Sequence, residues 1–100
     1  MYDGPLLPFE SARNLRLEAE DWMDENPTIM RLYRRFAERC VERGKRFGIG
    51  QLTERVRWEI AVEWTGEFKI NNNHRAYIAR RLIREIPGVG DLIETRRVRH

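Results

Sequence analysis

The chain has 100 residues, of which 41% are hydrophobic, with three tryptophans and a formal net charge of +3. This length and composition predict one folded domain with a single core and argue against a disordered chain. No apolar run approaches the roughly 20 residues of a membrane helix, and the first residues lack the features of a signal peptide. Cys40 is the only cysteine, which fits a reducing cytoplasm. With only two histidines beside it, no metal or other cofactor is expected.

The charge is distributed unevenly along the chain. Residues 1–26 hold two bases and seven acids (2 − 7 = −5), whereas residues 27–100 hold 17 bases and nine acids (17 − 9 = +8). The domain therefore has an acidic N-terminal extension and a basic remainder. All but two of the bases are arginine. Its planar guanidinium can bind a phosphate or the edge of a guanine through two parallel hydrogen bonds. A GC-rich genome would also produce an excess of arginine, so this composition alone does not decide the partner.

The first half of the chain predicts two helices. Helical spacing of apolar residues predicts the first over 11–24. Its last turn is acidic, which the helix dipole disfavours, so these acids are expected to face the basic remainder. Asn26 followed by Pro27 predicts the start of a second helix, with Asn26 as the N-cap. Gly44 predicts its end, because glycine readily adopts the left-handed conformation found there.

The middle of the chain predicts a short strand within 45–50 and a third helix over 51–64. Apolar residues fall on two sides of this third helix, which indicates a central and largely buried position. Trp58 and Trp64 are therefore expected as core residues or as walls of a groove.

A fourth helix is predicted from Asn73 to Glu85. Asn73 is a good N-cap, the preceding asparagines favour a tight turn, and Pro87 limits the helix at its far end. Aliphatic residues fall on one side of this helix. The opposite side carries an aromatic and basic face: His74, Tyr77, Arg80, Arg81 and Arg84.

The chain is predicted to end in a short helical turn or strand over 91–95 and a basic tail over 96–100. The fold class is mainly α with a small β element, a four-helix domain. The order of elements from residue 27 matches a winged helix-turn-helix, with 73–85 in the recognition position. A plain helical bundle with a two-strand edge is the alternative.

The sequence also resembles a family of small proteins encoded by bacteriophages and prophages over about residues 26–97. The residues that carry the resemblance are 26–27, 47–49, 57–59, 68–73, 77–80 and 94–96. The resemblance implies a phage or prophage origin and a cytoplasmic setting in a bacterial host. It implies no catalytic residue.

No phosphate-binding loop, nucleophile elbow or metal-protease motif occurs in the sequence, so we expect no enzyme. The arginine-rich fourth helix favours a DNA-binding or regulatory protein that contacts duplex DNA. His74, Tyr77, Arg80, Arg81 and Arg84 are expected in a groove, and the flanking phosphate contacts are assigned to Lys45, Arg46, Arg96, Arg97 and Arg99.

Two other interpretations stay open. The arginine face is also what an ordinary solvated helix looks like. A protein-interaction module is the alternative function, with the acidic helix 11–24 contacting a host or phage protein or pairing two subunits. The same helix would instead mask the basic face if it packs over residues 74–84, and nucleic-acid binding by that face would then be doubtful.

Overall fold

The computed structural model describes residues 8–64 and 69–94, with side chains from residue 13 onward. Its elements follow the chain in this order: α1 (Pro8–Glu25), α2 (Pro27–Glu42), β1 (Phe47–Gly48), α3 (Ile49–Glu63), a 3-10 turn (Asn72–His74), α4 (Arg75–Glu85), α5 (Val89–Leu92) and β2 (Ile93–Glu94). The mainly α fold with a small β element is confirmed. None of the described helices is both long and apolar enough to cross a membrane.

The boundary between α1 and α2 follows from local chemistry. Pro27 occupies the start of α2, where its missing N–H costs no hydrogen bond, as predicted. Asn26 is the N-cap residue of α2, as predicted, but its side chain makes no hydrogen bond to the start of that helix. Its Nδ2 instead donates to the carbonyl oxygen of Trp22 at 2.8 Å, which satisfies the end of α1. Gly44 follows α2 with a φ of 62°, which confirms the predicted glycine stop.

Tyr33 lies at the centre of the core and is fully buried. Its hydroxyl donates to Thr53 Oγ1 at 2.8 Å, and Thr53 donates in turn to the Ile49 carbonyl oxygen at 2.8 Å. The chain of bonds links α2 to α3 and leaves neither buried hydroxyl unpaired. Around it packs an apolar cluster: Ala19, Met23, Ile29, Met30, Leu32, Phe36, Ala37, Phe47, Leu52, Val56, Ile60, Ile70, Ile78, Ala79, Leu82, Ile86, Val89 and Ile93.

The two strands pair in parallel, with Phe47 opposite Ile93 and Gly48 opposite Glu94. α5 and β2 both fall near the segment 91–95, where the sequence left a helical turn and a strand as alternatives. A wing requires an antiparallel hairpin, and the described residues contain only this parallel pair. The winged helix-turn-helix is therefore not shown.

One side of α3 is buried and the other faces solvent. Leu52, Val56 and Ile60 are buried toward α2 and α4, whereas Trp58 and Val62 are 53% and 55% exposed. The prediction that α3 is buried on both sides is wrong, because no described element covers the side that carries Trp58 and Val62. An exposed tryptophan beside an exposed valine is unusual enough to mark this side as a candidate contact surface.

Candidate functional site

The asparagine run forms the turn that begins the arginine-rich helix. The Asn71 side chain accepts the N–H of Asn73 at 2.9 Å, so the capping residue is Asn71 and the prediction for Asn73 is wrong. Arg57 on α3 fixes the approach to this turn. Its guanidinium donates to the Ile70 carbonyl oxygen at 2.9 Å and to Asn72 Oδ1 at 2.6 Å.

His74 faces the protein interior, so it does not belong to the exposed face that was predicted to enter a groove. The side chain is 3% exposed, and its Nε2 lies 3.3 Å from Glu18 Oε1 on α1. Its ring also lies against Trp22, with ring centres 6.1 Å apart. The turn at Asn72–His74 rotates the imidazole toward α1, away from any surface that a groove could approach.

Arg81 is likewise turned toward α1. It donates to Glu20 and, at 3.0 Å, to Asp24, and its side chain is 15% exposed. Burial alone would lower the pKa of Arg81, but the hydrogen bonds and charges of the two carboxylates outweigh burial and raise it. Arg84 lies 3.5 Å from Glu20 and remains 64% exposed.

These contacts form an α1–α4 ion-pair cluster, consisting of Glu20, Asp24, Arg81 and Arg84, beside the contact between Glu18 and His74. α1 also supplies Ala19 and Met23 to the core, exposed by 0% and 1%. The acidic helix therefore masks part of the predicted basic face and is also part of the domain core. Removing it would uncover apolar surface, so the cluster has a structural role in joining α1 to α4.

The other predicted site residues are distributed over several surfaces. Arg80 is exposed, and its guanidinium lies 5.1 Å from the ring centre of Tyr77. Lys45 is exposed, and Arg46 forms an exposed ion pair with Glu94 at 3.7 Å. Three predicted residues lie outside the described part of the chain: Arg96, Arg97 and Arg99.

A second set of cations lies on α2 and the turn after it, and of these only Lys45 was assigned to the site from sequence. We call it the α2 basic surface: Arg31, Arg35, Arg39, Arg43 and Lys45. All five are exposed, and none lies within 4.0 Å of a carboxylate among the described side chains. Residues 31–45 hold six bases, the five of this surface and Arg34, and two exposed acids, Glu38 and Glu42, so their formal charge is 6 − 2 = +4. Arg34 is paired with Glu85. The four-residue spacing of the arginines was visible in the sequence and is the signal that would have found it.

Beside this surface lies an α2–α3 groove of about 340 Å³. Its lining combines apolar walls with polar and charged side chains: Phe36, Arg39, Cys40, Phe47, Gln51, Leu52 and Arg55. The Arg55 guanidinium lies over two aromatic rings, 5.2 Å from the centre of Phe36 and 5.0 Å from that of Trp58. Such cation–π contacts restrict a long side chain that would otherwise move freely in solvent.

In residues 8–64 and 69–94, no three histidine, cysteine or acidic side chains are grouped so that they could hold a metal ion. Comparisons with known proteins found no match to a family model, to a curated protein or to a solved structure. The resemblance to small phage proteins therefore stays a prediction.

Proposed function

We propose that the chain is a non-enzymatic nucleic-acid-binding protein that contacts phosphates through the α2 basic surface. The observation that carries the proposal is the exposure of five cations that have no acidic partner among the described residues. Unpaired arginines are available to replace the counterions of a nucleic acid, and that release dominates non-specific affinity. The proposal therefore assigns the contacts to α2 and the turn after it rather than to α4.

The spacing of the arginines suits a phosphate backbone. Residues four apart lie near one another on a helix surface, so Arg31, Arg35, Arg39 and Arg43 form a gradually turning row. The row is about 18 Å long, the length of about five base-pair steps along a duplex. Glu38 and Glu42 weaken the field of this row, which favours modest, salt-sensitive binding over tight recognition.

The inner face of α4 is a weaker candidate. Arg81 already binds Glu20 and Asp24, so a phosphate would compete with two carboxylates for it. Releasing α1 would also expose Met23 to water. Of the predicted α4 contacts, Arg80 and the exposed part of Arg84 remain accessible.

The test is a fluorescence-anisotropy titration of a labelled random duplex of about 20 base pairs across a salt series. We expect binding by the wild type to weaken with salt by about 0.9 log units per phosphate contact for each log unit of salt. The triple variant Arg35→Gln, Arg43→Gln, Lys45→Gln should bind about tenfold more weakly at low salt. Its salt slope should be shallower by up to about 2.7, as three lost contacts require.

The matched control removes the same three charges elsewhere, by Arg13→Gln, Arg16→Gln and Lys69→Gln. These residues are exposed and make no ion pair with the described side chains. We expect the duplex affinity of this control to fall by less than about threefold. The control lowers the net charge equally but keeps the phosphate contacts of the α2 basic surface. Equal losses in the two triple variants, or no salt-dependent binding by the wild type, would overturn the proposal. A larger loss from Arg80→Gln with Arg84→Gln would move the interface back to α4.

A further inference from the structure

Exposed apolar side chains extend the α2–α3 groove along α3. Arg55, Trp58 and Val62 follow one another at intervals of three and four residues, so they lie on one side of the helix. Trp58 and Val62 are 53% and 55% exposed, and Leu52, on the adjoining buried side of α3, lines the groove. From Leu52 to Val62 this surface is about 15 Å long, which matches about three turns of a facing helix.

We propose that the α2–α3 groove binds an acidic amphipathic helix of a partner protein. An apolar side chain of that helix enters between Phe36, Phe47 and Leu52, and its next turns cover Trp58 and Val62. A groove between two helices accepts a third helix through anchors at helical spacing. The groove and its extension along α3 provide the apolar surface that the binding of a helix in a groove requires.

The positive charge of the groove determines which charge the partner helix must carry. Arg39 and Arg55 line it, Arg35 lies one turn away from Arg39 on α2, and none of the three has a carboxylate within 4.0 Å among the described residues. A basic partner helix would be repelled, and a neutral one would leave these charges without counterions. Glutamate or aspartate beside the apolar anchors complements them.

Arg55 is the residue best placed to bind a partner carboxylate. Its guanidinium is already positioned by the rings of Phe36 and Trp58, so little side-chain entropy remains to be lost on binding. The N–H edge of a guanidinium stacked on a ring can still donate two parallel hydrogen bonds to a carboxylate. Gln51 does not compete for the role, because its side-chain oxygen accepts the Gly48 N–H at 2.8 Å.

The apolar walls favour a protein over a nucleic acid as the occupant. Leu52 and Cys40 offer aliphatic and thiol surface, and Val62 adds an exposed branched side chain that has no hydrogen-bonding group for a phosphate or a base edge. The α2 basic surface shares Arg39 with the groove, but Arg55, Trp58 and Val62 belong to the groove side alone. The two interfaces can therefore be separated by mutation.

The test uses a synthetic array of labelled peptides of about 16 residues, designed as helices. Three anchor positions at i, i+3 and i+7 vary among leucine, phenylalanine and tryptophan, and glutamate flanks them. One matched array replaces glutamate by lysine. Another moves the anchors so that they no longer share one face of the helix. We expect the best acidic peptides to bind at least about tenfold more tightly than their lysine or scrambled counterparts. In an NMR titration they should shift the Trp58 indole N–H.

Variants of the full chain show whether the groove is responsible. Trp58→Ala and Arg55→Gln should each weaken peptide binding by about tenfold, with Arg55→Lys intermediate because lysine keeps the charge but loses the paired donors. Arg16→Gln, an exposed charge on α1, is the matched control and should change nothing. Circular dichroism confirms that each variant is folded.

Three outcomes would overturn the inference. Equal affinities for the acidic peptides and their lysine counterparts would show that binding does not require a negatively charged partner. Chemical-shift changes confined to other surfaces, together with normal peptide binding by a folded Trp58→Ala variant, would rule out the groove as the binding site. Displacement of the peptide by a single-stranded oligonucleotide, or a dimer in sedimentation that Trp58→Ala dissociates, would assign the groove to a nucleic acid or to a second copy.

Discussion

Arg81 on α4 donates a hydrogen bond to Glu20 on α1, across 61 positions of sequence. Asp24, one turn further along α1, accepts a second bond from the same guanidinium. The acidic end of α1 is unfavourable for its own helix dipole, and the cations of α4 offset that cost. The negative and positive parts of the chain thus meet between α1 and α4, and Arg81 is the residue of the arginine face that holds α1.

Replacing Glu20 by glutamine should destabilise the fold by about 2 kcal/mol, because a charged hydrogen bond to the largely buried Arg81 is lost. The measurement is the free energy of unfolding from a urea titration. Asp21→Asn is the matched control on the same helix, since Asp21 is exposed and makes no ion pair with the described side chains. It should change stability by less than about 0.5 kcal/mol. Equal effects of the two variants would show that the Arg81 pairing contributes nothing specific.

Tyr33→Phe should cost about 1 kcal/mol, because it removes the hydroxyl that donates to Thr53 while leaving the ring in place. Thr53 keeps its own bond to the Ile49 carbonyl oxygen, so no buried donor is orphaned. Thermal unfolding of both proteins at neutral pH measures the difference. A loss above about 3 kcal/mol would indicate that the core rearranges and that more than one hydrogen bond is affected.

The same tyrosine predicts how stability changes at alkaline pH. Burial raises the pKa of Tyr33 above its ordinary value of 10.0, and the hydrogen bond to Thr53 and nearby arginines only partly counteract this. Above about pH 10 the unfolded chain releases the phenolic proton while the folded protein keeps it, so the free energy of unfolding falls as pH rises. Tyr33→Phe should show a shallower fall above about pH 10. Parallel curves for the two proteins would contradict the buried, protonated state.

Two glycines with left-handed backbone make a matched pair. Gly88 has a φ of 92°, and a Cβ there would meet Val41 Cγ1 at 3.0 Å, whereas Gly44 has a φ of 62° and open space around it. Gly44→Ala should therefore cost about 1 kcal/mol for the backbone alone. Gly88→Ala should cost about 1 kcal/mol more, because α5 must also move away from α2. Urea unfolding of the two variants measures the difference, and equal losses would show that Val41 adjusts without cost.

Much of the backbone could be predicted from local signals. Pro27 and Gly44 limit α2 because a missing N–H and a left-handed residue act within one turn of the chain. Pro87 likewise limits α4, which ends at Glu85. The arginine-rich segment was correctly predicted as a helix, but a helical projection shows only which residues share a side. It does not show what covers that side.

The sequence by itself determined the four longer helices and the separation of acidic from basic residues. Periodicity and turn chemistry act over a few residues, so they can be read without the fold. Only the tertiary structure decided that α1 covers His74 and Arg81 and that Trp58 stays exposed. Those outcomes depend on ion pairs and packing between residues dozens of positions apart, which no local pattern encodes. The surfaces left free by that packing, the α2 basic surface and the α2–α3 groove, are where we place the function.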